Sequence, residues 1–405
     1  MRPLDGLRVL DFTHAAAGPF ATMFMADMGA EVIKIEKPGR GDGARFMGEP
    51  MGGRDYSDYY VSLNRNKKGA LLDLSKPEAI TLARKLASVS DFVVQNFRPG
   101  VMERLGLGFD ALAPLRDGLV YCSISAFGSS GPWVERPAND VIMQSVSGLM
   151  SITGEPDGGP VRIGAPISDY STGLFALVGM LAAHAARESH PEGQHVEVSM
   201  IDSSLAMMCN YIPSVVGLDK EIMRLGRGHA QIVPYQAFTC SDGEYVMVGA
   251  FTTGFWRRLC GVLGKEEWIE DRRFLTNADR LRNRDELLEM MEALFLQRTR
   301  DEWAELLRQA DVPSGPVQSL NEATKLPQVI HNRTIREIDR ADDAGPLHVA
   351  GFPVRVDQWE DRGDTAPPHM GQHTIEVLST ILNLDIETID SLERSGAIGS
   401  GGGPS

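Results

Sequence analysis

The first 200 residues alternate between short apolar runs and longer segments with helical periodicity. Apolar runs at 7–12 and 31–36 flank a segment that opens near Pro19 and ends at Gly29. Proline suits the first turn of a helix and glycine suits its end, so this pattern predicts strand, helix and strand in succession. Such a βαβ unit indicates a parallel sheet, because a crossover helix is the usual connection between parallel strands.

The alternation continues along the N-terminal half. Ser75 and Glu78 have the spacing of a capping box, which predicts a helix that continues through Leu86. Further strands are predicted at 91–95, 119–124 and 195–199, and apolar helices at 173–186 and from residue 201 onward. The pattern therefore predicts an α/β fold with a parallel sheet.

The character of the sequence changes near residue 215. Residues 237–251, with a turn at 241–243, predict a β-hairpin, and charged amphipathic helices are predicted at 255–310. We predict a large domain at 1–215, a smaller α+β domain at 225–325, a return of the chain to the large domain at 326–398, and a flexible Gly/Ser tail at 399–405.

Composition narrows the class of protein. A formal net charge of -15 and a pI of about 5.1 disfavour binding to nucleic acid or to anionic membranes. The N-terminal sequence lacks the apolar run of a signal peptide, and no stretch approaches the roughly 20 apolar residues that span a bilayer. The four cysteines lie far apart and form no CxxC pair, which disfavours a zinc site and a disulfide framework. These features predict a cytoplasmic protein.

Two motifs suggest cofactors and are set aside. The stretch 106–111 matches the GxGxxA dinucleotide fingerprint, but the residues before it have a helical pattern, whereas the fingerprint requires a preceding strand. His369 and His373 are four residues apart, but Pro368 and Gly371 argue against a helix that carries both. We therefore predict no metal site and no tightly bound cofactor.

Several segments occur in a characteristic order and spacing. They include PLDGLRVLDF at 3–12, HAAAGP at 14–19, GAEVIKIE at 29–36, NRNKKG at 64–69, QNFRPG at 95–100, RPAND at 136–140, GAPISD at 164–169, the stretch 226–235 and HTIEVL at 373–378. Together they resemble the class III CoA-transferase family (formyl-CoA transferase-like and carnitine CoA-transferase-like proteins), which also contains α-methylacyl-CoA racemase. The resemblance implies a Rossmann-like large domain, a smaller domain and an interlocked homodimer of ring-shaped subunits.

The resemblance implies that Asp169 is the catalytic nucleophile. Its carboxylate would attack an acyl-CoA thioester to form a mixed anhydride, and CoA would return to give an aspartyl-CoA thioester that the acceptor acid attacks. Asp169 also precedes an apolar helix, so an N-cap is the structural alternative. Asp140 matches an acidic residue near the nucleophile, where it would orient water or hydrogen-bond the intermediate, or it simply begins a helix.

The resemblance also implies where CoA binds, as a substrate rather than as a bound cofactor. The predicted contact residues are Ala16 and Ala17 near the thioester, with Lys37, Leu72, Asn96, Phe97 and Arg104 along the rest of CoA. Phe97 either stacks on adenine or belongs to the core. A basic cluster is expected to supply the positive charge that CoA phosphates need in an acidic protein, and its members are Arg65, Lys67, Lys68 and Arg98.

A Gly/Arg/His loop is the remaining element of the predicted site. Gly228 and His229 lie where family members have a mobile loop that shields the anhydride from water, and His229 either contacts a substrate carboxylate or is a turn residue. Arg162 and Arg227 are candidates for binding the distal carboxylate of a dicarboxylic acid. The pattern is closer to family members that use succinyl-CoA and dicarboxylates than to those that use oxalate or carnitine.

Two other functions compete with CoA transfer. A 2-methylacyl-CoA racemase would need an acid/base pair, and racemases of this family have histidine where this chain has Asn139. Asparagine cannot act as a base, so the residue favours a transferase. A noncatalytic CoA-binding protein would retain the basic residues without any use for Asp169. Transfer between two acids and transfer within one acid both remain open.

Overall fold

The computed structural model describes residues 1–51, 55–340 and 345–401, and all statements below concern these residues. The β-strands, numbered in chain order, are β1 Arg8–Asp11, β2 Glu31–Glu36, β3 Lys67–Leu72, β4 Phe92–Gln95, β5 Val120–Ser125, β6 Gln194–Ser199, β7 Tyr235–Thr239, β8 Tyr245–Gly249, β9 Ser314–Pro316, β10 Ile335–Ile338, β11 Leu347–Ala350 and β12 Ile398–Gly399.

The α-helices between these strands are numbered in the same way. They are α1 Ala17–Asp27, α2 Asp58–Leu63, α3 Pro77–Ala87, α4 Val101–Arg104, α5 Phe109–Leu112, α6 Asp140–Val146, α7 Ile167–Ala185, α8 Met200–Ala206, α9 Ile212–Leu218, α10 Thr253–Leu263, α11 Asn277–Arg282, α12 Arg284–Phe295, α13 Arg300–Gln309, α14 Leu320–Ala323, α15 Pro327–His331, α16 Thr374–Glu376 and α17 Ile386–Arg394. In the described parts of the chain, no helix is long and apolar enough to cross a membrane.

A seven-stranded sheet organises the larger part of the chain, with strand order β12-β3-β2-β1-β4-β5-β6. Neighbours from β3 to β6 pair in parallel, and only the short β12 pairs antiparallel, with β3. The predicted α/β fold with a parallel sheet is therefore confirmed. The chain builds outward from β1 in one direction and then returns to add β4 on its other side, so the strand order reverses between β1 and β4. This reversal is the place where doubly wound folds bind ligands.

Two apolar cores cover the two faces of the sheet. Successive strand residues point to opposite faces, so Val9 and Phe92 pack in one core while the adjacent Leu10 and Val93 pack in the other. The first core is completed by α1 and α7, and the second by α3 and the C-terminal helices. Burial on both faces explains why the strands appear in the sequence as continuous apolar runs rather than as alternating ones.

Two local predictions are wrong. The predicted capping box of α3 does not form, because the hydroxyl of Ser75 donates to Asp73 at 2.7 Å and the helix begins one residue later, after Lys76. The predicted flexible tail begins too early, because Ile398 and Gly399 form β12 against β3. Residues 402–405 of that tail lie outside the described residues.

The chain divides into two compact units. The larger one comprises Met1–Leu149, Arg162–Asp219 and Ile330–Ser405, and the smaller one comprises Met150–Val161 and Lys220–Val329. The segment 150–161 was expected in the large domain. It belongs to the smaller unit because Arg224 Nη2 donates to the Gly158 carbonyl at 2.8 Å. Elsewhere the two units divide between Asp219 and Lys220 and between Val329 and Ile330.

The smaller unit has its own sheet and core. Strands β7, β8 and β9 form an antiparallel sheet in which the predicted hairpin is β7–β8. Helices α10, α12 and α13 supply Trp256, Phe295 and Trp303 to a core that also contains Phe238 of β7. Because these aromatic side chains are buried together, the smaller unit has the hydrophobic core that a separate domain requires.

The cofactor motifs have no supporting geometry. Val101–Arg104 is helical, as predicted, so the GxGxxA stretch follows a helix rather than a strand. His369 lies outside any helix, with Nδ1 at 2.8 Å from Asp55 Oδ1, and His373 precedes α16. Within residues 1–51, 55–340 and 345–401, no group of three or more His, Cys, Asp or Glu side chains is placed to hold a metal ion.

Candidate active site

The loop that follows β1 lies at the point where the strand order reverses. Asn96, which follows β4, clamps this loop: its Oδ1 accepts from the His14 N–H at 2.9 Å and its Nδ2 donates to the His14 carbonyl at 2.8 Å. Ala15 has the left-handed φ of 63° and donates its N–H to Asp42 Oδ1 at 3.1 Å. A non-glycine residue is held in this conformation only by surrounding structure, which here is Asp42 and Asn96.

The clamped loop leads directly into the start of α1. Ala16 is the N-cap of this helix, has no side-chain cap and is buried together with Ala17. The first backbone N–H groups of a helix lack partners within the helix and carry a partial positive charge. The two alanines predicted near the thioester therefore lie beside backbone donors that suit a carbonyl or carboxylate oxygen.

A cleft of about 520 Å³ opens at the carboxyl ends of β1 to β4. Three predicted CoA-contact residues line it together, namely Lys37, Leu72 and Phe97. The Lys37 side chain is 59% exposed and its Nζ is 3.8 Å from Asp73 Oδ1. Phe97 both lines the cleft and packs against the core, so the two interpretations of this residue are compatible.

The cleft also contains residues that the sequence analysis did not single out. Arg40 and His14 line it, and the ring of His14 meets that of Phe97 edge-on at 5.7 Å. Arg40 lies in a turn after β2 in which Gly39 and Gly41 have left-handed φ values of 74° and 63°. A glycine-rich turn after a strand was the signal that could have identified Arg40, because such turns present backbone and cations to phosphates.

Two predicted CoA residues occupy other positions. The side-chain amide of Asn96 forms both of its hydrogen bonds with the backbone of His14, so Asn96 stabilises the loop after β1. Arg104 ends α4, next to Leu105, which lines the cleft. Whether either contacts CoA remains a prediction.

Three of the four residues of the predicted basic cluster form ion pairs with carboxylates of the protein. Arg65 is buried against Asp27, with Nη2 to Oδ2 at 2.5 Å. Lys67 is buried and its Nζ lies 3.2 Å from Asp11 Oδ2, and the Lys68 side chain pairs with Glu31 at 2.8 Å and also with Glu376. The expectation that this cluster supplies the charge for CoA phosphates is therefore wrong for the buried Arg65 and Lys67. Lys68 is 32% exposed and Arg98 is exposed, so for these two residues it remains a prediction.

Asp169 is the third residue of α7 and is half-buried. The helix begins at Ile167, after Pro166, which has no side-chain cap to offer. Asp140 provides the cap instead: its Oδ1 accepts from the N–H of Ser168 at 2.8 Å and from that of Asp169 at 3.3 Å. The N-cap alternative for Asp169 is therefore wrong, and its carboxylate is not needed to complete the helix.

The surroundings of Asp169 disfavour its charged form. Burial raises the pKa of Asp169, and the nearby charge of Asp140 raises it further, to about 7. Among the described residues, no cation contributes to this shift of the pKa. Near neutral pH the carboxyl group therefore exists in both protonation states, which is a property common among catalytic groups.

Two tyrosines lie close enough to Asp169 for its charge to act on them. Burial and the charge of Asp169 raise the pKa of Tyr59 on α2 and that of Tyr170 on α7, so both phenols stay protonated at neutral pH. Tyr170 stacks on Phe20 of α1 with ring centroids 4.5 Å apart. Tyr59 was missed by the sequence analysis, because no local motif marks it and its proximity arises only from the folded position of α2.

A close approach of two helices connects Asp169 with the start of α1. Gly173 lies one turn after Asp169, and a Cβ at this position would lie 2.5 Å from the Ala17 carbonyl oxygen. Only glycine lets the helices meet this closely. The nucleophile predicted from sequence and the predicted thioester residues are thus brought to neighbouring helix ends.

The predicted loop residues Gly228 and His229 lie in the smaller unit. Gly228 donates to the Leu225 carbonyl at 3.0 Å, and the ring of His229 stacks on Tyr235 with centroids 5.2 Å apart. Arg227 donates to Thr239 Oγ1 at 3.1 Å. In the larger unit, Arg162 Nη1 donates to the Gly164 carbonyl at 3.1 Å. The roles of these residues toward a substrate remain predictions.

These features are those of an α/β enzyme with a ligand crevice at the carboxyl ends of its parallel strands. A family model described as CoA-transferase family III matches residues 4–374. The chain belongs to CoA-transferase family III, and it is a CoA-transferase, as the sequence resemblance predicted.

Curated relatives and solved structures agree with this assignment. Succinyl-CoA:glutarate CoA-transferase of Mus musculus is 36% identical over 398 residues, which cover 98% of this chain and 91% of that protein. Succinate–glutarate CoA-transferase of Agrobacterium fabrum is 33% identical over 395 residues, which cover 96% of each chain. A crystal structure of a CAIB/BAIF family protein from Brucella suis superimposes with a TM-score of 0.84 at 30% identity, over 94% of this chain and 99% of that one.

Proposed function

We propose that this CoA-transferase moves CoA from succinyl-CoA, or from another dicarboxyl-CoA, to a small carboxylic acid, with Asp169 as the residue that is acylated. The names of two relatives, which act on succinyl-CoA, succinate and glutarate, support the class of substrate. The observation that supports the role of Asp169 is its half-buried carboxylate, which no cation among the described residues neutralises and which has no structural task in the helix cap.

In this mechanism a carboxylate oxygen of Asp169 attacks the thioester carbonyl carbon, the C–S bond breaks and CoA leaves as a thiolate. The thiolate then attacks the aspartyl carbonyl of the mixed anhydride and releases the donor acid as a carboxylate. The acceptor carboxylate attacks the resulting aspartyl-CoA thioester, and the thiolate finally takes the acyl group from the second anhydride and frees Asp169. The protonated Tyr59, whose pKa is raised in part by the charge of Asp169, is proposed to donate a hydrogen bond to the charged oxygens of these intermediates.

The cleft at the carboxyl ends of β1 to β4 is proposed to hold CoA. Lys37 and Arg40 supply positive charge there, and Phe97 offers an aromatic face or edge to adenine. The loop from His14 to Ala17 joins this cleft to α1, so the pantetheine arm would run along it toward Asp169. Gly228 and His229 are proposed to shield the anhydride from water, and Arg162 and Arg227 are proposed to bind a distal carboxylate.

A homodimer is proposed as the functional form, with interlocked ring-shaped subunits. Support comes from the exposed apolar side chains of α6, α7 and α8, three helices that pack against one another in the larger unit. They are Val141 and Ile142 of α6, Leu174, Phe175 and Val178 of α7, and Leu205 of α8. Monomeric proteins rarely expose so many large apolar side chains in one region, so a second copy is the proposed cover. Cytoplasmic localisation and the absence of nucleic-acid partners remain predictions.

The racemase alternative is disfavoured by the position of Asn139. Its side-chain oxygen accepts from the Ile142 N–H at 3.1 Å and caps α6, so the residue has a structural task and no basic group. A noncatalytic CoA-binding protein would not explain a carboxylate that is poised between its two protonation states. Transfer within one dicarboxylic acid remains compatible with the proposal.

The deciding experiment combines a substrate screen with trapping of the intermediate. A set of acyl-CoA donors is mixed with small mono- and dicarboxylic acids, and the CoA products are identified by mass spectrometry. In parallel, the protein is treated with a donor and hydroxylamine, and Asp169 is expected to become the hydroxamate. Absence of any adduct on this residue, in a preparation that transfers CoA, would rule out the aspartyl mechanism.

A further inference from the structure

Gln144 lies on α6 one turn after Asp140 and is completely buried. Its Nε2 donates to Asp140 Oδ2 at 2.7 Å, and its Oε1 accepts from the Ile163 N–H at 2.9 Å. Because a backbone N–H can only donate, the amide oxygen must face Ile163 and the amide nitrogen must face Asp140. The orientation of this buried amide is therefore fixed.

Within the described residues, the hydrogen bonds that the Asp140 carboxylate accepts all come from N–H groups. Gln144 donates to one carboxylate oxygen, and the backbone N–H groups of Ser168 and Asp169 donate to the other. All three hydrogen bonds require Asp140 to act as an acceptor. A rotated Gln144 amide would place an oxygen against the carboxylate and leave the Ile163 N–H facing another N–H group.

The same four hydrogen bonds span the segment that ends at the nucleophile. Ile163 is anchored by Gln144 at one end, and Ser168 and Asp169 are anchored by Asp140 at the other. The segment between them contains Pro166, which cannot cap α7 with its own side chain. Gln144 and Asp140 therefore replace a local helix cap with one built from α6.

We propose that Gln144 is a positioning residue for the acyl transfer: by holding Asp140 as a hydrogen-bond acceptor, it fixes the first turn of α7 and the direction from which Asp169 attacks. This inference rests on the proposed aspartyl mechanism. The Gln144 amide would then do more than stabilise the fold. It holds the Asp140 carboxylate in place, and the charge of that carboxylate raises the pKa of Asp169.

In the described part of the chain, the titratable side chains that interact electrostatically with Asp169 are Asp140 from α6, Tyr59 from α2 and Tyr170 from α7 itself. The charge of Asp42 also acts on Tyr59. Of these, only Asp140 adds a negative charge that shifts the ionisation of Asp169. Moving that charge one helical turn away, with the hydrogen bonds retained, should change the pH dependence of activity.

Three variants separate positioning from simple packing. Gln144→Met keeps a similar volume and removes both polar ends. Asp140→Asn brings an amide nitrogen against that of Gln144, so one hydrogen bond is replaced by a repulsive contact. In the double variant Asp140→Asn, Gln144→Glu, the new asparagine can donate to the new glutamate and still accept from α7, while the glutamate still accepts from Ile163. All four hydrogen bonds are then possible again, with the negative charge transferred from position 140 to position 144.

Gln144→Met is expected to lower kcat about 10- to 100-fold and to change the KM for the acyl-CoA less than about twofold, because the nucleophile is misdirected while the CoA cleft is intact. The kcat of the double variant is expected to be at least about tenfold higher than that of Asp140→Asn, because the four hydrogen bonds are restored. Its kcat/KM should reach half of its maximum at a lower pH than in the wild type, because the negative charge lies farther from Asp169. Gln194→Met is the control, since this half-buried amide donates to the Ala183 carbonyl at 2.7 Å far along α7. It should lose thermal stability only.

The inference is overturned if the folded double variant is no more active than Asp140→Asn, or if Gln144→Met loses thermal stability to the same degree as the control while kcat is unchanged. If Gln144→Met does not fold, the comparison of the double variant with Asp140→Asn decides. Hydroxylamine trapping on the wild type separates this result from the proposed mechanism. A wild type that forms the adduct on Asp169, with a fully active Gln144→Met, defeats the inference alone, whereas a wild type without the adduct defeats both.

Discussion

Asp42 and Asp169 are two carboxylates near the same loop, and they differ in what surrounds them. Asp42 is buried, with Oδ2 at 2.8 Å from the ammonium of Lys34 and with Oδ1 accepting from the Ala15 and Ala44 N–H groups. Burial alone would raise the pKa of Asp42, but the charge of Lys34 and the contact with His14 outweigh it and hold this pKa well below its usual range. At Asp169, burial and Asp140 act in the same direction, and the pKa is raised to about 7.

The different surroundings of Asp42 and Asp169 determine how easily each carboxylate could be acylated. Acylation converts a charged carboxylate into a neutral anhydride or thioester. At Asp42 this step would remove the carboxylate charge that lies 2.8 Å from the buried ammonium of Lys34, which is costly. At Asp169 the same step removes a charge that burial and Asp140 already disfavour. The cation Lys34 therefore stabilises the charged form of Asp42 beside the loop, whereas no cation among the described residues does so for Asp169, the proposed nucleophile.

The largest expected effect comes from removing the unpaired carboxylate. Asp169→Ala should lower CoA transfer by at least about a thousandfold, because no other group can be acylated in its place. Binding of CoA, measured by titration calorimetry, should be largely unchanged, since the proposed CoA contacts lie at the ends of β1 to β4. Transfer at a rate near that of the wild type would refute the proposed mechanism.

Removing the cation from the paired carboxylate should damage the fold instead. Lys34→Met leaves the buried Asp42 and the nearby Asp11 with less compensation, and the free energy of unfolding should fall by roughly 3 to 5 kcal/mol. Lys68→Met is the control, because Lys68 pairs with Glu31 while its side chain is 32% exposed, and it should cost less than about 1 kcal/mol. Denaturant titration followed by circular dichroism measures both. Equal losses in the two variants would contradict the assigned role of Lys34.

Neutralising Asp169 without changing its shape should stabilise the protein. The folded pKa of about 7 lies above the ordinary value of 3.8, so ionisation favours the unfolded chain, and wild-type stability is lost as pH rises from about 4 to about 7. Asp169→Asn does not titrate, so its advantage should grow over this range and remain at roughly 2 to 4 kcal/mol above it. Denaturant titrations at pH 5, 6, 7 and 8 test this. A difference that does not depend on pH would show that Asp169 has an ordinary pKa.

The sheet could be predicted from sequence, because strands buried on both faces leave continuous apolar runs and the helices between them have clear ends. The start of α7 could not, because its cap is Asp140, which lies 29 positions before Asp169 in the chain. The predicted helix therefore began at Gly173 rather than at Ile167. A cap that comes from another helix leaves no signal in the local sequence. The N-cap role was considered for Asp169 because the predicted helix began after it.

The charges were the least predictable part of the site. Arg65 and Lys67 lie near predicted CoA residues in sequence. In the fold, however, Lys67 at the start of β3 pairs with Asp11 at the end of β1, and Arg65 in the preceding turn pairs with Asp27. The basic residues that reach the cleft are Lys37 and Arg40, of which only Lys37 was identified. A sequence shows where charges occur, but their partners depend on how distant strands meet.

The raised pKa of Asp169 should also be visible in the activity of the wild type. If the ionised carboxylate is the nucleophile, kcat/KM should fall about tenfold for each pH unit below about 7 and level off above it. Initial rates at low acyl-CoA concentration between pH 5 and 8.5 measure this. A flat profile over that range would mean that the group that attacks is ionised well below pH 5, as Asp42 is.

The smallest expected effect concerns the exposed cations of the cleft. Lys37→Ala should raise the KM for acyl-CoA about 3- to 10-fold and change kcat less than about twofold, because an exposed charge binds the ground state and the transition state equally. The effect should shrink at high salt, where exposed charges are screened. Lys85→Ala, at an exposed position on α3, is the matched control and should leave KM unchanged. An unchanged KM in Lys37→Ala at low salt would place the CoA phosphates elsewhere, and Arg40→Ala would then show whether any part of this cleft binds them.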